Sequence, residues 1–319
     1  LEEAMMELHP QTQELLDQMN EVEAPPAWEQ PLDELRVNFN ELVISLQSPG
    51  PQLKRVENRD IPGPHGPIPV RIYWPDEPAD GPLPMLVHFH GSGFVVLGLD
   101  SHDNACRELS QGANCITVAV NYRKAPEDKF PKPTDDAWAA TKWVADNCAE
   151  LGGDANRIAV CGDSAGGCLA TVVAQRATVE EGPNIVFQLL VYPVTDMSDD
   201  TDSYRRFADG YNLTADMMRW FMRLYLNTDE EKTNPAAAPI RAADLAGLPP
   251  ALIITASHDP LLDDGINYGN KLRAAGVPVT HTDYPGQIHG FWNFTGRIDA
   301  AYEARNEACA ALREAFAMR

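Results

Sequence analysis

The chain has 319 residues, of which 44% are hydrophobic and 23% charged, a composition typical of a folded globular protein. It carries 25 Lys and Arg against 47 Asp and Glu, which gives a formal net charge of −22. That negative field repels nucleic acid and anionic membrane surfaces, so neither is expected as a partner. No run approaches the roughly 18–20 consecutive apolar residues of a membrane span.

The amino terminus and the cysteines bear on the cellular compartment. Residues 1–6 are acidic and lack the basic and apolar regions of a secretory signal. The six cysteines form no C-x-x-C pair and show no metal spacing, and several lie in apolar runs. Buried free thiols suit a reducing environment, so a cytoplasmic protein is expected.

The first fifty residues predict two acidic helices that are separate from the rest of the chain. Apolar side chains recur at helical spacing from Leu8 to Met19, and the Pro25-Pro26 pair ends this run. A second helix is predicted over Leu32–Leu46, before the breaker segment Ser48-Pro49-Gly50-Pro51. We interpret residues 1–50 as the N-terminal part of a helical cap.

From residue 51 onward, apolar strands alternate with helices. Strands are predicted over residues 53–59, 70–74, 85–89, 115–122, 157–161, 186–191, 251–256 and 279–284. Helices are predicted over residues 134–148, 165–177, 265–275 and 302–318. Because continuously apolar strands need both faces of their sheet covered, the pattern predicts an α/β fold with a mostly parallel central sheet flanked by helices.

Residues 197–235 interrupt this alternation. An acidic loop, Ser198–Asp202, precedes a helix predicted over Thr214–Leu226, which is more apolar than a solvent-facing helix needs to be. Either this helix packs on the core, or it forms the second part of the cap and lines a substrate pocket. The second interpretation gives Trp220, Phe221 and Leu224 as candidate pocket residues on this helix, and Phe94, from the segment after the strand predicted at 85–89, is the fourth candidate.

The strongest chemical signal is Gly162-Asp163-Ser164-Ala165-Gly166-Gly167, which lies between a predicted buried strand and a helix of small residues. A sharp strand-to-helix turn tolerates only small flanking residues. It pushes the central hydroxyl out above the sheet, at the positive end of the following helix. This context predicts that Ser164 is a nucleophile rather than part of a structural turn.

The segment His90-Gly91-Ser92-Gly93-Phe94 comes directly after the predicted strand at 85–89. A serine nucleophile needs donors for the developing oxyanion, and glycines let backbone N–H groups approach a ligand closely. The alternative is an ordinary glycine-rich turn, but the position before the elbow favours a donor loop. His88 and His90 could instead ligate zinc, but the chain offers no third ligand with suitable spacing, so no metal is expected.

The general base should be a histidine beyond the elbow, if the triad has the order Ser, acid, His. Three histidines qualify by position: His258, His281 and His289. His281 lies inside a strand pattern, and His258 immediately precedes the Asp259-Pro260 turn. His289 is favoured because it comes after a strand and a turn and can reach over the sheet edge.

The acid should come at the end of an earlier strand. Asp259 lies directly after the apolar run 251–256, and Pro260 fixes the turn behind it. Asp263 is the main rival, but Asp263 and Asp264 lie one helical turn further on, where carboxylates commonly stabilise a helix N-terminus. Asp259 is therefore the favoured acid.

These motifs, in this order, resemble those of the bacterial hormone-sensitive-lipase-like esterases, the family IV carboxylesterases of the α/β-hydrolase fold. The likeness extends from about residue 50 to 319 and includes three further segments: Asn121-Tyr122-Arg123-Lys124-Ala125-Pro126-Glu127, Asp259-Pro260-Leu261 and His289-Gly290-Phe291. The resemblance implies a serine carboxylesterase with the triad Ser164, Asp259 and His289. Residues 51–319 would form the catalytic domain, with 197–235 as the inserted second part of the cap.

The resemblance also implies an oxyanion hole built from the backbone N–H groups of Ser92, Gly93 and Ala165, supported by His90 and Gly91. It implies no cofactor and, because members of this branch often dimerise, a homodimer. With a cap over the site, short- to medium-chain acyl esters and water are the expected reactants. Two alternatives remain: an inactive small-molecule receptor with this fold, and an acyltransferase using the same triad.

One position departs from the family pattern. The family usually has glycine where this chain has Ser92. A backbone N–H survives that change, whereas the added side chain alters the room for the acyl group. We therefore expect Ser92→Gly to change acyl-chain preference more than it changes turnover of acetate esters.

Overall fold

The computed structural model describes residues 7–21, 24–77 and 81–318. Within these ranges one sheet contains eight strands: β1 (Arg55–Ile61), β2 (Ile68–Trp74), β3 (Leu83–Phe89), β4 (Ile116–Val120), β5 (Gly153–Asp163), β6 (Ile185–Val191), β7 (Ala251–His258) and β8 (Val279–Ile288). Their order across the sheet is β1-β2-β4-β3-β5-β6-β7-β8. Strands β3 to β8 are parallel to their neighbours in that group, whereas β2 is antiparallel to both β1 and β4.

The described residues contain nine α-helices: α1 (Pro10–Asn20), α2 (Leu32–Ser45), α3 (Asp103–Ala113), α4 (Lys132–Leu151), α5 (Ala165–Val179), α6 (Asp202–Arg206), α7 (Ala215–Tyr225), α8 (Leu262–Ala274) and α9 (Asp299–Ala317). Helices α4, α5 and α8 pack on one face of the sheet, and α3 and α9 pack on the other. None of the helices in the described part of the chain is long and apolar enough to cross a membrane.

The core consists of two layers, one on each face of the sheet. Along β3, Met85, Val87 and Phe89 belong to one buried cluster, whereas Leu86 belongs to the other. This division arises from the period of two in a strand, which sends successive side chains to opposite faces. All six cysteines are buried free thiols, as their apolar context suggested.

The predicted fold class is confirmed, and every predicted strand is present. The ends differ: β5 begins at Gly153 rather than at residue 157, and β8 continues to Ile288. Helix α7 differs from its predicted bounds by one residue at each end. At its start, the Thr214 hydroxyl accepts a hydrogen bond from the N–H of Met217, so Thr214 caps the helix and the first helical residue is Ala215.

Helix α3 has no counterpart among the predicted helices. Leu109 is the one large apolar side chain on its buried face, which otherwise holds small residues and the polar Asn104 and Ser110, so few large apolar side chains mark this helix in the sequence. Helix α6 begins at Asp202, the last residue of the segment expected to be an acidic loop. Its Thr201 hydroxyl accepts from the N–H of Tyr204, a cap of the kind that begins many short helices.

Candidate active site

Ser164 stands at the sharp turn between β5 and α5. Its backbone has φ +55° and ψ −121°, a conformation that is strained for a residue with a Cβ. The turn is held by the Ser164 N–H, which donates to the carbonyl of Val191 at 2.9 Å. A Cβ at Gly162 would overlap the carbonyl oxygen of Gly166, and a Cβ at Gly166 would overlap that of Phe89. Both glycines are therefore required by close backbone packing at the turn.

His289, just beyond the end of β8, connects Ser164 to a buried carboxylate. Its Nε2 lies 3.0 Å from the Ser164 Oγ, and its Nδ1 lies 2.7 Å from the Oδ2 of Asp259. Asp259 is fully buried, and its other oxygen accepts from the N–H of Leu261 at 2.8 Å. This arrangement lets the imidazole accept the serine proton while the carboxylate fixes its orientation.

The other two candidate histidines have different partners. The Nε2 of His281 lies 2.9 Å from the Oγ1 of Thr255, on the strand pair β7 and β8. The Nδ1 of His258 lies 2.9 Å from the Oγ of Ser257. The structure therefore brings His289, rather than either of these, within hydrogen-bond distance of Ser164.

The rival aspartates hold backbone groups. The Oδ2 of Asp263 accepts from the N–H of Ser203 at 2.9 Å, which joins α8 to α6. The Oδ2 of Asp264 accepts from the N–H groups of Thr195 and Asp196. Burial raises the pKa of Asp264 to about 8, despite the opposing effect of these two hydrogen bonds. Of the three aspartates considered, Asp259 is the one in contact with His289.

The glycine-rich loop after β3 lies against the elbow. The N–H of Gly91 donates to the Oδ1 of Asp163 at 2.8 Å, and a Cβ at Gly91 would overlap that carboxylate. Gly93 has φ +55°, and a Cβ there would overlap the ring of Phe221 on α7. The loop is thus packed between Asp163, the residue before Ser164, and the Phe221 ring on α7.

Asp163 forms a buried polar network that was not predicted from the sequence. Its Oδ2 lies 3.1 Å from the Nε2 of His102 and 3.3 Å from the Nδ2 of Asn293. Burial alone would raise the pKa of the Asp163 carboxyl, but His102 and the N–H of Gly91 hold that pKa well below its usual range. The carboxylate therefore stays ionised and accepts from three elements at once. Neither His102 nor Asn293 lies in a recognisable motif, so only the fold reveals them.

His90 supports the loop through packing. Its ring stacks on Tyr122, with centroids 4.4 Å apart, and its Nδ1 lies 3.2 Å from the carbonyl of Gly91. Burial lowers the pKa of His90 well below its ordinary value and that of His88 to about 3, so both rings are neutral. Within the part of the chain that the structure describes, no three His, Cys, Asp or Glu side chains are arranged to hold a metal ion.

A cavity of about 110 Å³ lies beside Ser164. Of the four side chains predicted to line a pocket, Phe221 lines this cavity. Phe94 instead stacks on Tyr225, with ring centroids 3.8 Å apart, while Trp220 and Leu224 pack against the core cluster without lining the cavity.

Most of the cavity wall was not predicted individually. Apolar side chains come from α1 and α2, from the start of α7 and the loop before it, and from the segment after β8: Met19, Phe39, Leu42, Val43, Leu213, Met217, Met218 and Phe294. Among the described lining residues, Asp163 is the one acidic side chain, and it is occupied by its contacts with Gly91 and His102. The wall therefore favours an uncharged, apolar group.

Comparison with known proteins places this geometry in a family. A family model described as the α/β hydrolase fold matches residues 86–293. The esterase LipI of Mycobacterium tuberculosis is 48% identical over 81% of this chain and 82% of its own length. The ethyl acetate hydrolase of Pseudomonas putida is 39% identical over 77% of this chain and 78% of its own length.

A solved structure shows the same similarity across nearly the whole chain. The ester hydrolase EH1AB1 from the metagenome of Lake Arreo superposes with a TM-score of 0.94 and 38% identity, covering 97% of this chain and 99% of that one. The family match, the sequence identities and the structural superposition agree. The chain belongs to the α/β-hydrolase family, as its motifs predicted.

Proposed function

We propose that the chain is a carboxylesterase whose nucleophile is Ser164. The observation that carries this proposal is the continuous path from Ser164 Oγ to His289 and on to the buried carboxylate of Asp259, at 3.0 and 2.7 Å. It occurs on a strained strand-to-helix turn, the context in which serine hydrolases place their nucleophile. The names of the relatives, an esterase and an ethyl acetate hydrolase, support the same reaction class.

The reaction has two halves. His289 takes the proton of Ser164 as the serine oxygen attacks the ester carbonyl, and Asp259 holds the imidazole and stabilises its positive charge. The alcohol leaves with that proton, and an acyl-enzyme remains on Ser164. A water molecule deprotonated by His289 then attacks this ester, the bond between Ser164 Oγ and the acyl group breaks, and His289 returns the proton to Ser164 as the acid is released. The chemistry needs no metal or organic cofactor.

The developing oxyanion is proposed to bind the backbone N–H groups of Ser92, Gly93 and Ala165. The first two belong to the loop that Asp163 holds against the elbow through Gly91. The third begins α5, where the first N–H groups of a helix lack intrahelical acceptors and carry partial positive charge. Such preorganised donors typically contribute 10²–10³-fold to turnover when measured one at a time.

The substrate is proposed to be an ester with a short- to medium-chain acyl group. The cavity, at about 110 Å³, is smaller than the roughly 150 Å³ cavity that accommodates benzene in an engineered protein. A cavity of this size disfavours long acyl chains. Residues 1–50 and 197–235 are proposed to form a helical cap, because Phe39 and Leu42 from α2 face the same cavity as Met217 and Phe221 from α7. Residues 51–319 would be the catalytic domain.

Three further proposals concern the compartment, the partners and the oligomeric state of the protein. The buried free thiols suit a reducing cytoplasm. The net charge of −22 disfavours nucleic acid as a partner. A homodimer is implied by the family resemblance, and sedimentation equilibrium of the purified protein tests it.

Trapping the covalent intermediate tests the proposed reaction. A p-nitrophenyl alkylphosphonate is expected to release p-nitrophenolate and leave one phosphonyl group on Ser164, located by peptide mass mapping. Ser164→Ala should give no adduct, whereas Ser110→Ala, a buried serine on α3, should label like the wild type. An adduct elsewhere, or none, would overturn the assignment and favour the receptor alternative. Product analysis with added alcohol separates hydrolysis from acyl transfer.

A further inference from the structure

The side chain of Ser92, the position that departs from the family pattern, takes part in a chain of buried hydrogen bonds. The N–H of Phe94 donates to Ser92 Oγ at 2.8 Å. Ser92 Oγ lies 2.6 Å from the hydroxyl of Tyr122, which in turn donates to the carbonyl of His90 at 2.6 Å. Both ends of the chain therefore lie on the glycine-rich loop, and its middle lies on Tyr122.

The directions of these bonds are set by the available protons. Tyr122 has one hydroxyl hydrogen, and the carbonyl of His90 can only accept it. Ser92 must then donate to the Tyr122 oxygen, while its own oxygen accepts from the Phe94 N–H. Each hydroxyl donates once and accepts once in one consistent direction. Such fully satisfied buried networks favour a single conformation.

Tyr122 is well suited to act as the anchor of this chain. It is 1% exposed, and it lies two residues after the end of β4. Its ring stacks on His90, and burial raises the pKa of its hydroxyl, so it remains a neutral donor. The loop is thus fastened to the buried segment after β4 at His90 and, through Ser92, at Phe94.

We propose that Ser92 and Tyr122 are positioning residues, whose hydrogen-bonded side chains hold the loop so that the N–H groups of Ser92 and Gly93 point at the oxyanion. This inference rests on the proposed function. Ser92 lines the cavity, but its hydroxyl is engaged by Phe94 and Tyr122. On this proposal, loss of the hydroxyl should slow all acyl chain lengths alike, whereas a steric role of the Ser92 side chain would change the chain-length preference.

Kinetics of Ser92→Ala, Tyr122→Phe and the double variant test the proposal with p-nitrophenyl acetate and p-nitrophenyl hexanoate. Each single change should lower kcat about tenfold for both esters with little change in KM, because displaced oxyanion donors act in the transition state. The double variant should be no slower than the slower single variant, since both changes break one network. Ser92→Gly should behave like Ser92→Ala.

Tyr73→Phe is the matched control. Tyr73 is also fully buried, but it lies on β2 and its hydroxyl donates to Asp103. This variant should keep the wild-type kcat even where its melting temperature falls. A purely structural role for Ser92 would instead give losses of kcat that track melting temperature in all variants.

Three outcomes would overturn the proposal: unchanged kcat in Ser92→Ala, an effect confined to hexanoate, or multiplicative losses in the double variant. Failure of the proposed function itself is distinguishable, because it appears as an inactive wild type or as retained activity in Ser164→Ala. That variant is measured in the same series.

Discussion

At the scale of single residues, the site depends on side chains that are fixed by more than one contact. Asp259 holds His289 with one oxygen and the N–H of Leu261 with the other. Asp163 accepts from the N–H of Gly91 and from His102 and Asn293. Preorganisation of this kind means that the reacting groups need little rearrangement during the reaction.

Replacing the proposed acid should separate it from its rival. Asp259→Asn leaves the volume of the side chain nearly unchanged but favours the wrong tautomer of His289, so kcat should fall by about 10⁴-fold. Asp263→Asn keeps an oxygen that accepts from the Ser203 N–H, so it should alter kcat by no more than a few-fold. Steady-state kinetics on p-nitrophenyl acetate distinguish the two. Equal losses, or a larger loss for Asp263→Asn, would contradict the assignment.

Asp163→Asn should destabilise the protein in a pH-dependent manner. The pKa of Asp163 is lower in the folded than in the unfolded state. The stability that its ionised carboxylate contributes is therefore fully present above the unfolded-state pKa of about 3.9 and is lost as the pH falls through the folded-state pKa. Removing this buried, hydrogen-bonded charge should cost about 3 kcal/mol at neutral pH. Denaturant unfolding should show that the free energies of unfolding of wild type and Asp163→Asn approach each other in acid, below about pH 4.

Asp154→Asn provides a control for that measurement. Asp154 pairs with Arg157 at the protein surface, so its loss should change unfolding free energy little. A difference between wild type and Asp163→Asn that stayed constant with pH would show that the ionised carboxylate is not what stabilises the loop.

The three residues proposed as the triad lie within hydrogen-bond distance along one path, and each was selectable from the sequence because it lies in a local pattern with a physical cause. Ser164 stands between glycines that the turn requires, and Asp259 comes directly after an apolar strand. His102 and Asn293 were not predicted because their role arises from contacts with Asp163, from which they are separated by 61 and 130 residues in the sequence. Local patterns carry no information about such contacts.

At the scale of elements, α2 and α7 position apolar side chains above the nucleophile. Arg36 on α2 donates to the carbonyls of Val95 and Ala125 and pairs with Glu127, which ties this helix to the loops after β3 and β4. Phe221 on α7 packs against Gly93. Changes in either helix should therefore act on substrate selection.

Phe221→Ala should shift the preference of the enzyme toward longer acyl chains. Removing the ring enlarges the cavity, so kcat/KM for p-nitrophenyl octanoate should rise about tenfold relative to that for acetate, the ratio expected from a few extra buried methylene groups. A chain-length series measures this ratio. Leu224→Ala, on the same helix but outside the cavity wall, should leave the profile unchanged. A similar shift of chain-length preference in both variants would argue against Phe221 as the side chain that limits acyl-chain length.

How well an element was predicted depended on the size of its apolar side chains. The helix around Phe221 carries large ones and was predicted nearly to its ends, whereas α3, on which Leu109 is the one large buried apolar side chain, was missed. The cavity wall was predicted only in part. Trp220 and Leu224 are as apolar as Phe221, and only the packing of α7 on the loop decides which side chain faces Ser164.

At the scale of the whole molecule, charge is the dominant feature. A formal net charge of −22 creates self-repulsion that opposes the compact state, while the cavity wall itself is largely apolar. Global charge and local site chemistry are therefore separate properties of this protein. The first bears on solubility and stability, and the second on substrate choice.

Added salt should stabilise the fold. Screening shortens the range of repulsion between surface carboxylates to about 8 Å at 0.15 M ionic strength, so the melting temperature should rise between low salt and that concentration. Sodium chloride and potassium chloride should act equally if screening is the cause. A fall in melting temperature would show that surface ion pairs, rather than net repulsion, dominate the salt response.

Hydrolysis of p-nitrophenyl butyrate by wild type and Ser164→Ala, at matched concentration, tests the central assignment most directly. The wild type should turn over the ester, and the variant should lose at least about 10³-fold in kcat while keeping the wild-type melting temperature. Retention of wild-type turnover by Ser164→Ala would contradict the acyl-enzyme mechanism and require a different nucleophile.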